Sequence, residues 1–85
     1  MEYAKAVGRR LRAIRQQHGL SLKGVEQRSR GRWKAVVVSS YERGDRAVSV
    51  QRLYELAEFY AVPITELLPR DLGAPRRAHE QHQLA

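Results

Sequence analysis

Eighty-five residues without a cysteine suffice for one modest hydrophobic core, and leave no room for a deep substrate cleft, a disulfide framework or a thiolate metal site. The net charge of +7 is unevenly placed: residues 1–34 hold ten Lys/Arg against Glu2 and Glu26 (+8), residues 35–68 stand at −2 and the last seventeen at +1. A strongly basic half suits a face that meets a polyanion, while no apolar run approaches the ~20 residues needed to cross a bilayer.

The first helix is expected from about Tyr3 to His18, because Val7, Leu11 and Ile14 recur at i, i+4 and i+7 while Arg9, Arg10, Arg12 and Arg15 fall largely elsewhere. Gly19 supplies a left-handed stop, and Ser21 a cap for a short second helix from about Leu22 to Ser29. Gly24 inside that helix suggests close approach of another helix or of a DNA backbone. After the break Arg30-Gly31-Arg32, the run Val36-Val37-Val38 favours a strand by propensity. A lone strand would leave its backbone groups unpaired, and Trp33, Val37 or Val38, and Tyr41 share one helical face, so a third helix is expected over about 34–43. Gly44 closes it. Ser49 caps a fourth helix whose apolar stripe is Val50, Leu53, Leu56, Ala57 and Tyr60, and Pro63 opens a short fifth with Ile64, Leu67 and Leu68. Residues 1–69 thus form one all-α domain, and residues 70–85, which show no periodicity, a disordered linker or tail.

An α-helix fits the ~12 Å major groove of DNA, where each base pair shows a distinct pattern of donors, acceptors and methyls. A reading helix needs an apolar face toward the core, a face of small or polar side chains toward bases, and cations at its margins. The third helix meets this, with Val38 and Tyr41 inward and Lys34, Ala35, Val36, Ser39 and Ser40 outward. Val37 is read as core, and Val36 as facing the groove.

Val7 to Arg15, Gly19-Leu20-Ser21, Tyr41-Glu42-Arg43-Gly44, Leu53 to Ala57 and Val62 to Leu68 together resemble the phage-repressor, or Xre-type, helix-turn-helix family over about residues 3–69. More narrowly, residues 20–22, 31–38 and 40–48 resemble a developmental repressor of sporulating actinobacteria. The resemblance implies a five-helix lambda-repressor-like bundle that acts as a transcription regulator, with the start of the third helix on bases (Lys34, Ala35, Val36) and Ser40, beside Ser39, one turn later. It implies a structural ion pair between Arg15 and Glu42. Phosphate contacts are expected from Arg9 or Arg10, Ser21, Arg30, Arg32, Arg43 and Arg46, where the summed field matters more than any one arginine. Two features depart from the family pattern. Leu22 stands where many relatives carry a phosphate-binding glutamine, and the turn Ser29 to Trp33 is about two residues longer. Trp33 is expected to anchor that turn in the core.

The resemblance further implies a pseudo-palindromic operator bound by two domains about one helical turn apart, and a separate C-terminal domain that dimerises around cyclic di-GMP. These residues are therefore expected to be a cytoplasmic, nucleoid-associated DNA-binding fragment, monomeric or weakly dimeric, without a cofactor site. An enzyme is disfavoured because His18 stands alone and no nucleophile sits at recognisable spacing from an acid/base pair. His79 and His82 make a weak metal pair. An antitoxin-like protein-interaction module is the alternative, favouring an exposed apolar patch over a basic face. RNA would call for exposed aromatic platforms, whereas Tyr3, Trp33, Tyr41, Tyr54, Phe59 and Tyr60 mostly fall on core stripes. A membrane-surface role would need a spare amphipathic helix.

Overall fold

Several helix ends fall where local chemistry satisfies free backbone groups. The computed structural model describes residues 2–69, which form α1 (Glu2–Gln17), α2 (Leu22–Arg28), α3 (Ala35–Arg43), α4 (Val50–Tyr60) and a 3₁₀ turn (Ile64–Glu66), with no strand among them. Ser21 Oγ accepts from Gly24 N–H at 2.9 Å, and Ser49 Oγ accepts from Arg52 N–H at 3.1 Å, so both serines cap the helices that follow them. Gly44 closes α3 at φ 78°, and the Asp45 N–H then reaches back to Ser40 O at 3.0 Å. Val36, Val37 and Val38 are helical despite their β preference, because burial of Val38 and Tyr41 outweighs a few tenths of a kcal/mol per residue of propensity.

The core joins Val7, Leu11 and Ile14 of α1 to Val25, Val38, Tyr41 and the α4 stripe Leu53, Leu56, Ala57 and Tyr60. Trp33 is 2% exposed and fills the junction between α2 and α3, with the guanidinium groups of Arg32 and Arg52 5.3 and 5.8 Å from its ring centroid. α1 and α2 both pack on α3, and α4 packs on the 3₁₀ turn.

Three expectations need correction. The fifth helix is a single 3₁₀ turn: Pro63 opens it and Leu67 is fully buried, but Pro69 follows too soon for an α-helix to form. Val50 and Tyr54 are 74% and 55% exposed, so the apolar stripe of α4 overruns the core at its first turn. No other helix closes on Gly24 among the described residues; the close helix approach occurs at Gly8. A Cβ on Gly8 would lie 2.4 Å from Glu42 O and 2.6 Å from Tyr41 O, whereas one on Gly24 would meet its own cap, Ser21 Oγ, at 3.2 Å. The expected tail, with His79 and His82, lies outside the described residues. No helix among those described is long and apolar enough to cross a membrane.

Candidate nucleic-acid interface

The outward face of α3 follows from which of its residues the core claims. Val38 and Tyr41 are buried and Val37 is half-buried against the core, which turns Val36 away to 74% exposure. Lys34 and Arg43 are exposed at the two ends, and Ala35, Ser39 and Ser40 are half-buried. Helical spacing puts Val36, Ser39, Ser40 and Arg43 along one surface stripe. Arg43 is braced on that stripe: Nη1 donates to Ser39 Oγ and Nε to Asp45 Oδ2 at 2.8 Å.

Both ends of α3 are tied to neighbouring helices. Its N-cap residue, Lys34, offers no side-chain acceptor, and Glu26 of α2 supplies one instead, Oε1 accepting from Ala35 N–H at 2.8 Å. That hydrogen bond holds the Glu26 carboxyl below the usual carboxylate range against the opposing effect of desolvation, and Lys23 and Lys34 add to it. The long turn between α2 and α3 is organised by the same residue. Glu26 O accepts from Gly31 N–H at 2.8 Å and from Ser29 Oγ at 3.1 Å, and Ser29 Oγ accepts from Trp33 N–H at 3.0 Å. Arg30 and Gly31 take left-handed conformations at φ 55° and 83° within that turn.

At the other end, Arg15 Nε and Nη2 donate to Glu42 Oε2 and Oε1 at 2.7 and 2.9 Å, and Nη1 donates to Leu20 O at 2.9 Å. The hydrogen bond to Glu42 raises the Arg15 pKa in spite of partial burial. The remaining cations divide into two groups. Arg9, Arg30 and Arg46 are exposed and make no ion pair among the described residues. Arg10 donates to Glu66 O at 2.8 Å with the Glu66 carboxylate 3.6 Å away, and Arg32 pairs with Glu55 at 2.6 Å. Ser21 is exposed at the start of α2 with its hydroxyl committed as the cap.

A family model described as Helix-turn-helix matches residues 11–67. The chain belongs to the Xre-type helix-turn-helix family. Among solved structures, the helix-turn-helix chain is 75% identical to the DNA-binding domain of BldD, covering 80% of its own length and 96% of that chain with a TM-score of 0.79. It is 74% identical to the S. venezulae BldD DNA-binding domain, covering 81% of itself and 100% of that chain at a TM-score of 0.80. No curated protein sequence matches it.

In this helix-turn-helix chain, α2 and α3 are the two helices of the motif and α3 is the second, exposed one. Three positions that organise the bundle around them carried little sequence signal. Glu26 is nine residues from the N–H it caps; only the absence of an acceptor at Lys34 hinted that another residue must serve. Gly8 allows α1 to lie against the end of α3 but stands inside an otherwise ordinary helix. The His18 ring sits between two helix ends, Nδ1 3.0 Å from Ile14 O and Nε2 2.8 Å from Tyr60 O, linking α1 to α4.

Proposed function

We propose that this chain binds double-stranded DNA sequence-specifically as part of a transcription regulator, a repressor of developmental genes, with α3 in the major groove. The observation that carries this is the α3 face itself: Lys34, Val36 and Arg43 project outward from a helix whose inner face is buried and whose two ends are hydrogen-bonded to other helices. In this reading Lys34 bonds guanine O6 or N7, Ala35 and Val36 pack on thymine methyls, and Ser39 and Ser40 contact the bases one turn on. Arg9, Arg30, Arg43 and Arg46 meet phosphates with Ser21, while Arg10 and Arg32 do so only by leaving Glu66 and Glu55. Two copies bind a pseudo-palindromic site about one helical turn apart. Control by cyclic di-GMP belongs, in this reading, to a separate C-terminal domain.

Fluorescence-anisotropy titration with a pool-selected duplex and a scrambled one, each across a salt series, tests the proposal. A preference of about 100-fold or more with a steep salt slope supports reading by α3. Equal, salt-labile binding to both duplexes removes it. A protein-interaction module is favoured by one observation, the exposed pair Val50 and Tyr54 one turn apart on α4. If that were the function, V50S/Y54S would abolish partner binding and leave DNA affinity untouched.

A further inference from the structure

The carboxylate of Glu26 stands at the end of α3 from which DNA bases would be read, and its negative charge there opposes approach to phosphates. Its placement needs a reason. The free N–H groups at a helix N-terminus, together with the helix dipole, form a ready phosphate site. A phosphate seated on Ala35 N–H would orient α3 by the DNA backbone, which is the same in every sequence. Glu26 already occupies that N–H at 2.8 Å. It is itself held by two bonds to its carbonyl, from Gly31 N–H and Ser29 Oγ, so the acceptor is fixed by the turn that connects the two helices. The same Ala35 hydrogen bond, with smaller contributions from Lys23 and Lys34, favours its charged form.

We propose that Glu26 is a specificity-determining positioning residue: by occupying the first free N–H of α3, its carboxylate excludes a DNA phosphate from that helix end and fixes the register in which Lys34, Ala35 and Val36 meet the bases. The inference rests on the base-reading function proposed above. It separates two properties of the side chain. The hydrogen bond fixes register, and the charge lowers general affinity. Glu26→Gln keeps the first and removes the second; Glu26→Ala removes both.

The experiment measures the affinity of the wild-type chain and both variants for the selected and scrambled duplexes, with hydrogen exchange of the Ala35 amide in the free protein. Glu26→Gln should keep Ala35 protected, tighten binding to both duplexes alike and leave the preference unchanged. Glu26→Ala should expose the Ala35 amide, hold or strengthen binding to the scrambled duplex, and reduce the preference by about 10-fold, the discrimination expected of one well-placed base contact. Should Glu26→Ala not fold, Glu26→Asp, which is one methylene too short to reach, is read in its place. Equal losses on both duplexes, a preference that survives Glu26→Ala, or rapid exchange at Ala35 in the wild-type chain would each overturn the role of Glu26. A wild-type chain that does not discriminate removes the base-reading function instead, a result distinguishable from all three.

Discussion

Arg15 and Glu42 face each other as two parallel hydrogen-bonded pairs, at 2.7 and 2.9 Å, and so lock the last turn of α1 to the last turn of α3. Their side chains are only 11% and 6% exposed. Removing one partner strands the other charge out of water, so Arg15→Ala or Glu42→Ala should each cost about 3–5 kcal/mol in urea denaturation. Replacing both with apolar residues of similar size, as in R15M/E42L, should cost clearly less than either single change, because the desolvation of two charges largely offsets their attraction. If the double variant loses at least as much as either single change, the pair is a net source of stability; losses that simply add would show that the two side chains act independently.

A methyl group at Gly8 has nowhere to go. The nearest atoms are backbone, Glu42 O at 2.4 Å and Tyr41 O at 2.6 Å, so α1 and α3 would have to separate. Gly8→Ala should therefore destabilise by about 1–3 kcal/mol net, even though alanine is favoured over glycine by about 1 kcal/mol inside a helix. Gly24→Ala is the control. Its Cβ meets only side chains, Ser21 Oγ at 3.2 Å and Leu20 at 3.4 Å, and this crowding offsets the gain in helix propensity, so the unfolding free energy should change by no more than about 0.5 kcal/mol.

Tyr60 places its hydroxyl in the core with no hydrogen-bond partner among the described residues. Burial, with a smaller push from Glu42, raises its pKa to about 12. The unfolded chain ionises this phenol near its ordinary value of about 10, so the folded state is the one that resists ionisation. The stability contributed by the neutral phenol is whole below about pH 10 and is lost as pH rises toward about 12. Tyr60→Phe should flatten the fall in stability over that interval relative to wild type. At neutral pH it should be neutral or stabilising, since it deletes an unsatisfied buried group whose cost is about 1–3 kcal/mol. A Tyr60→Phe chain that is less stable at neutral pH would show that the hydroxyl has a partner in solution.

Much of this architecture is readable from local signals. Ser21 and Ser49 announce helix starts, Gly19 and Gly44 announce stops, and the positions of Val7, Leu11 and Ile14 mark an inner face without knowledge of what they touch. The valine run of α3 was legible by elimination, since a single strand has no partner. What the sequence hides is three-dimensional. Val50 continues the α4 stripe in perfect period yet is exposed, because the core reaches Leu53 but no described residue covers Val50 itself. Glu26 reads as one more charge on a short helix, although its acceptor sets the start of α3. Arg10 and Arg32 look like members of a cationic face, but their partners Glu66 and Glu55 are 56 and 23 residues away.

Arg43 gives the sharpest contrast between backbone and base contacts. It is exposed at the end of the α3 stripe, bonded to Ser39, and its charge is partly cancelled by Asp45 at 2.8 Å. As a phosphate contact, Arg43→Ala should weaken binding to every duplex alike and shallow the salt slope by about one unit. Asp45→Asn should do the reverse, since it removes a carboxylate from beside the DNA and frees the guanidinium: tighter binding to all duplexes, with no change in preference. Val36→Ser, by contrast, should change which base is preferred at one position of the site more than it changes overall affinity, because a valine on a thymine methyl carries sequence information and no charge. Salt titrations on the three variants, with a binding-site selection for Val36→Ser, separate these outcomes. If Arg43→Ala instead relaxes the preference at a single base position, Arg43 reads a base and the phosphate role passes to Arg30 and Arg46.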